Sequence, residues 1–341
     1  MRAEFRLNNS PRPSTFKPAW WLPGAHLQTL WPVLQRRFAS ADQYPALQRE
    51  RLTLPDGDFL DLDYTSPPSA MPAGTPLILL LHGLEGSSES GYARGLLRVL
   101  QQRGWVGIVM HFRGCSGEPN RLRRSYNAGD SGDLAYVIDT LHARWPDSAL
   151  AAVGYSLGGN VLLKWLAEQG RDCVLQAAAA VSVPFRLADA ARRMQQGLSR
   201  LYQWHLLRSL RASYRAKFAS RDDAPVALDE LSQLRDFFQF DDRITAPLHG
   251  YDGVEDYYRR ASSRQYLHQI ETPTLLVHAR NDPFMFADTA PTAAELSGNI
   301  TLELSSDGGH VGFVSGPWPW RPQYWLEQRI PDFLSEYLSR A

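Results

Sequence analysis

Ser156 stands at the centre of Gly154-Tyr155-Ser156-Leu157-Gly158, after the apolar run 149–153 and before a helical pattern over 160–166. A Gly-x-Ser-x-Gly pentapeptide in that setting predicts a serine on a tight strand-to-helix turn. The flanking glycines would admit unusual backbone angles and let neighbouring backbone come close. A serine hydroxyl is a weak nucleophile at neutral pH, so it requires a base to take its proton and a carboxylate to orient that base. Two later loops supply these types. Asp282 lies in Asn281-Asp282-Pro283-Phe284, after an expected strand at 274–277, and His310 lies in Asp307-Gly308-Gly309-His310-Val311-Gly312, after one at 300–304. The chain order Ser156, Asp282, His310 is the one such a turn requires, and the chemistry it points to is acyl transfer through a serine.

Each of these residues has a rival. Asp307 is the alternative acid, but three residues before His310 it would have to fold back to reach the ring. Asp282-Pro283 on its own also reads as a turn initiator. Acyl transfer further needs two backbone amides aimed at the developing oxyanion. The glycine-containing loop His82-Gly83-Leu84-Glu85-Gly86 suggests the Leu84 amide, and the residue after the nucleophile suggests the Leu157 amide. His82 reads as a residue that shapes the turn. Cys115, in His111-Phe112-Arg113-Gly114-Cys115-Ser116-Gly117, has no nucleophile turn around it and reads as structural.

Those residues need a sheet to hold them. Segments 51–54 and 59–64 flank Pro55-Asp56-Gly57-Asp58 and read as a hairpin. Apolar runs then recur at 77–81, 106–110, 149–153, 177–183, 274–277 and 300–304, with helical patterns between them. Such alternation predicts an α/β fold: an eight-stranded, mostly parallel sheet flanked by helices. It breaks over 184–249, where a helical region rich in arginine and aromatic residues reads as a cap inserted after the sixth strand. Residues 1–45 read as an arm in which Trp20, Trp21, Leu27, Leu30 and Trp31 pack on the core formed by 46–183 and 250–341. The arm also admits a membrane contact helped by Arg36 and Arg37, which is not the expectation.

Lysine plus arginine and aspartate plus glutamate number 36 each. That balance points away from nucleic acid or another polyanionic partner and towards a small neutral substrate. Cys115 and Cys173 have neither metal-ligand nor disulfide spacing, which suits a reducing compartment. Residues 1–17 lack the apolar stretch of a secretory signal, and no apolar run reaches the ~18 residues of a membrane span. The expectation is a soluble cytoplasmic protein. Its oligomeric state is left open.

Several motifs together resemble the alpha/beta-hydrolase superfamily, and within it the YheT-like hydrolases, related to plant EMB8-like proteins and animal ABHD phospholipases. They are Gly24-Ala25-His26-Leu27-Gln28-Thr29, His82-Gly83-Leu84-Glu85-Gly86-Ser87-Ser88, the segments around Cys115 and Ser156, Asn281-Asp282-Pro283 and Gly308-Gly309-His310-Val311-Gly312. The resemblance implies an ester hydrolase with nucleophile, acid and base at Ser156, Asp282 and His310. Gly24-Ala25-His26 departs from the family's Asn-Pro-His, a change expected to touch the arm and not the triad. The reaction requires no metal or organic cofactor. Short- to medium-chain acyl esters are the expected substrates. Lipid esters and transfer to an alcohol are alternatives, and a non-enzymatic binding module is a further one.

Overall fold

The computed structural model describes residues 12–36 and 43–338. Eight strands build the main sheet: β1 (Gln48–Thr53), β2 (Phe59–Tyr64), β3 (Leu77–Leu81), β4 (Val106–Met110), β5 (Leu150–Tyr155), β6 (Ala177–Val181), β7 (Thr274–Ala279) and β8 (Ile300–Ser305). All eight expected strands are present. A two-residue segment, Arg12–Pro13, pairs with the outer edge of β8, and the spatial order from there is β8, β7, β6, β5, β3, β4, β2, β1. The pairs β1/β2 and β2/β4 are antiparallel and the others parallel.

Among the described residues eight longer helices accompany the sheet: α1 (Ala25–Arg36), α2 (Gly91–Gln102), α3 (Ser131–Arg144), α4 (Leu157–Gln169), α5 (Leu187–Met194), α6 (Ser199–Phe218), α7 (Gly253–Ala261) and α8 (Trp325–Leu338). Side chains alternate across each strand, so Leu77, Leu79 and Leu81 join one apolar cluster while Ile78 and Leu80 join another. The first cluster takes Leu134 and Ile138 of α3 with Val161 and Leu162 of α4; the second takes Leu96 and Leu97 of α2 with Ile330 and Leu334 of α8. Burying one such leucine contributes about 1.5–3 kcal/mol, which is why strands covered on both faces read as unbroken apolar runs. Among the described residues no helix is long and apolar enough to cross a membrane.

The chain runs from β3 outward to β4, then returns to lay β5 on the other side of β3. A crevice opens at the carboxyl ends of strands where the order reverses in this way. Leu81, the last residue of β3, is in register with Gly154 of β5, so the loops after these two strands emerge side by side.

Between β6 and β7 lie α5, α6, a helical stretch over 237–249 with a π-turn at Asp241–Thr245, and α7. Leu207, Tyr214, Phe218, Leu231, Phe240 and Leu248 pack among themselves, apart from the main core. Leu187 and Ala191 of α5, and Tyr257, Tyr258 and Ala261 of α7, belong to the main core instead. The separately packed portion is therefore narrower than 184–249.

The N-terminal segment departs from expectation. Trp21 and Trp31 meet edge to face beside Ala19, Leu22 and Val314, but Trp20 is 72% exposed and Leu27 and Leu30 also face water. The buried face of α1 is polar, made by Gln28 and Thr29. Arg37 lies outside the described residues, as does the side chain of Arg36. A small antiparallel sheet of β9 (Val314–Trp318) and β10 (Arg321–Tyr324) follows the His310 loop. Sequence patterning gave no sign of it, because Gly316, Pro317 and Pro319 interrupt any strand signal.

Candidate active site

Ser156 occupies the turn between β5 and α4 with φ 51° and ψ −118°, a left-handed conformation that costs a non-glycine residue about 1–3 kcal/mol. Backbone bonds hold it there: its amide donates to the Val181 carbonyl at 2.9 Å, and its carbonyl accepts from the Asn160 amide at 3.1 Å. The strain lies on the serine and not on the glycines beside it. Gly158 serves close approach, since a Cβ there would stand 2.5 Å from the Leu81 and His82 carbonyl oxygens.

His310 Nε2 is 3.0 Å from Ser156 Oγ, and His310 Nδ1 is 2.8 Å from Asp282 Oδ2. Asp282 is buried, and its second oxygen accepts the Phe284 amide at 2.8 Å. The Phe284 ring stacks on the His310 imidazole with centroids 3.9 Å apart and planes within 5°. Serine, imidazole and carboxylate thus form one hydrogen-bonded line across 154 and 28 residues of chain. Asp307 is elsewhere. Its oxygens accept from the Asn281 amide group and the Ser306 hydroxyl.

Three consecutive amides of the His310 loop each donate to a side-chain oxygen from a different segment: Gly309 to Asn281 Oδ1 at 3.1 Å, His310 to Thr29 Oγ1 at 2.9 Å, and Val311 to Ser182 Oγ at 3.0 Å. Gln28 adds to this, accepting from the Val314 amide and donating to the Val314 carbonyl. A Cβ on Gly312 would lie 2.2 Å from the Gln28 carbonyl oxygen, so only glycine lets the loop approach α1 this closely. Sequence reading missed Gln28 and Thr29 as supports of the site. The Gly24-to-Thr29 motif was the available signal, since its last residue, Thr29, reaches the His310 amide directly.

Leu84 follows β3 and Leu157 opens α4, and both line the same cavity as Ser156 and His310. Among the described residues neither amide has a protein acceptor. The N-terminal end of α4 also carries the positive end of the helix dipole. Around Leu84 the loop is held on both sides: Gly83 donates to the Tyr92 hydroxyl at 2.8 Å, and Glu85, at φ 54°, donates to the Tyr126 hydroxyl at 2.9 Å. The Tyr126 hydroxyl donates back to Glu85 Oε1, while Ser213 of α6 donates to Oε2 at 2.5 Å. His82 is buried and neutral, its pKa lowered to about 3 by desolvation. Its Nε2 accepts the Phe112 amide, so the proton sits on Nδ1, 2.7 Å from the Gly83 carbonyl. Burial raises the Cys115 thiol well above its usual range, and its side-chain partner is Tyr126.

The cavity measures about 1360 Å³. Near α5 and the start of α6 its wall is apolar, with Leu187, Met194, Leu198 and Leu201, while Asn120 and Lys217 line a polar stretch. The Lys217 ammonium donates to Asn120 Oδ1 and the Arg124 carbonyl, and burial lowers its pKa to about 7. Among the described residues no group of three or more His, Cys, Asp or Glu side chains is arranged to hold a metal ion.

Residues 76–317 match the alpha/beta hydrolase fold family. YheT of Escherichia coli K12, whose esterase designation is itself provisional, is 44% identical over 95% of this chain and 94% of its own. The human phospholipase ABHD3 is 30% identical over 96% of this chain and 80% of its own. Among solved structures, the esterase Pf2001 of Pyrococcus furiosus superposes with TM-score 0.56 at 17% identity, covering 88% of this chain and 95% of that one, a likeness of fold alone. With the serine turn, the sheet order and these sequence matches together, the chain belongs to the alpha/beta-hydrolase family, in its YheT-like branch of esterase- and lipase-type hydrolases.

Proposed function

We propose that the protein is a serine carboxylic-ester hydrolase with Ser156 as nucleophile, His310 as general base and acid, and Asp282 as the carboxylate that orients the imidazole. The observation that carries this reading is the hydrogen-bonded line from Ser156 through His310 to Asp282, with the serine held in a left-handed turn at the cavity wall. His310 takes the Ser156 proton as Oγ attacks the ester carbonyl. The Leu84 and Leu157 amides receive the oxyanion, and Asp282 stabilises the imidazolium. Collapse expels the alcohol, protonated by His310, and leaves an acyl-enzyme. Water, deprotonated by the same imidazole, then releases the acid and restores the hydroxyl.

The substrate is an uncharged acyl ester of short to medium chain, for which the apolar wall at Leu187, Met194 and Leu198 is suited. The helical segment within 184–249 acts as a cap over the acyl pocket. The cavity exceeds the ~300–1,000 Å³ of ordinary small-molecule sites, which favours medium over very short chains. It also leaves room for an alcohol acceptor, so ester formation is the second reading. The free thiols of Cys115 and Cys173 fit a cytoplasmic setting.

The test is hydrolysis of p-nitrophenyl esters of increasing acyl length, run beside fluorophosphonate labelling and with added alcohol. Turnover and labelling that both depend on Ser156 support the hydrolase. Labelling with no turnover on any ester would overturn it, and ester outcompeting free acid would favour the transferase.

A further inference from the structure

Around the cavity mouth, large apolar side chains face water on two helices far apart in sequence. Leu198, just before α6, and Leu201 and Trp204 on it are 61%, 65% and 58% exposed; on α1, Leu27, Leu30, Val33 and Leu34 are exposed as well. The helices meet where His26 Nδ1 lies 3.0 Å from the Tyr202 hydroxyl, with the two rings stacked. Leu30, Val33, Leu34, Leu198 and Leu201 also line the cavity that contains Ser156. The exposed collar and the cavity wall are therefore one continuous apolar surface. Scattered exposed leucines are ordinary, but a set gathered round a single opening is not.

Charge narrows the occupant. Neither α1 nor α6 contains an aspartate or glutamate, whereas α6 carries Arg200, Arg208, Arg211, Arg215 and Lys217. Arg200, Arg208 and Arg215 are exposed, and the Arg208 guanidinium lies 5.7 Å from the Trp204 ring centre. An apolar stripe with tryptophan, continued by arginines and free of acids, matches an anionic lipid interface: the leucines and the indole enter the acyl boundary while the arginines meet the headgroups. A second copy of this chain would set one arginine row against another.

We propose that the α1–α6 collar docks on an anionic phospholipid surface. Acyl esters would pass from that surface along the apolar wall to Ser156, a clause that rests on the esterase reading, whereas the docking does not.

The test is co-sedimentation of the full chain with phosphatidylcholine vesicles, with and without phosphatidylglycerol, for the wild type, Trp204→Asp and Leu27→Asp. Neither substituted residue lines the cavity. Expected is binding to the anionic vesicles that weakens with salt and falls about tenfold in each variant, while hydrolysis of a water-soluble ester is unchanged. Absence of vesicle binding, equal binding to neutral vesicles, or equal binding by the variants would each overturn the proposal. So would a wild-type dimer in light scattering that both substitutions dissociate, which would make the collar a self-association face. Vesicle binding without turnover on any ester would sink the esterase reading and leave the docking standing; turnover without vesicle binding would do the reverse.

Discussion

The two halves of the site are held in different ways. Ser156 is fixed by backbone: its neighbours belong to β5 and α4, its amide bonds to the end of β6, and Gly158 presses the turn against the end of β3. The His310 loop is fixed by side chains, with Asn281, Thr29 and Ser182 each taking one of its amides. A nucleophile turn built from backbone tolerates many side chains so long as its glycines remain. An imidazole loop held by three borrowed oxygens depends on segments as distant as 281 residues. One half is held by main-chain atoms, the other by side chains borrowed from three segments.

Substitutions can break this contrast, the largest first. Ser156→Ala should lower ester turnover by about three or more orders of magnitude with folding intact, as loss of a nucleophile does. Asp282→Asn should cost about two or more. Thermal denaturation alongside the kinetics separates loss of chemistry from loss of fold, and near-normal turnover in either variant would unseat its assigned role. Gly158→Ala tests the backbone half. Its Cβ would meet main-chain carbonyls at 2.5 Å, atoms that cannot rotate away, so a markedly lowered melting temperature is expected together with lost turnover. An alanine variant with wild-type stability would mean that the turn is more yielding than its contacts suggest.

Thr29→Val tests the side-chain half. It leaves the His310 amide without its acceptor, a cost of about 1–3 kcal/mol, and should reduce kcat about tenfold with KM little changed. Thr29→Ser, which restores the oxygen, should recover most of the loss. Recovery is the discriminating result, since a purely steric role for Thr29 would not show it. Asp307→Asn should have the smallest kinetic effect, because Asp307 bonds to Asn281 and Ser306 and not to the imidazole. If Asp307→Asn proved more damaging than Asp282→Asn, the acid would have to be reassigned.

Stability against pH sharpens the comparison away from the triad. Asp241, on the π-turn beside the cavity, accepts from the Thr245 and Tyr258 hydroxyls, yet burial raises its pKa from 3.8 to about 6. The folded chain binds that proton more tightly than the unfolded one. Its contribution to stability is therefore complete below about pH 3.8 and is lost as pH rises through about 6. Asp241→Asn cannot ionise, so its melting temperature relative to wild type should improve between about pH 3.8 and about pH 6 and level off above. A difference that stays flat across that range would mean that Asp241 is stable as a carboxylate.

Local chemistry was legible in the residues themselves. The Ser156 pentapeptide between an apolar run and a helical pattern marks the position of its own turn, although the Val181 carbonyl and the end of β3 hold that turn in place. Six of the eight strands were legible because a strand covered on both faces has to be apolar throughout, and β1 and β2 were legible from the turn between them. His310 and Asp282 could be named from chain order and loop position, but choosing Asp282 over Asp307 turned on which loop reaches the far side of the imidazole, a matter of tertiary geometry. The roles of Gln28 and Thr29 were hidden because the segment reads as an apolar arm, and only the folded chain turns its polar face inward. Exposure of Leu27, Leu30 and Trp20 was hidden too, since hydropathy does not say which face of a helix finds a neighbour. By itself, then, the sequence determined which segments become strands and where the serine turn falls, because hydropathy and glycine spacing are signals carried close along the chain. The tertiary structure alone decided what holds the His310 loop and where the apolar collar faces, because hydrogen bonds and burial between distant segments exist only once the sheet has brought them together.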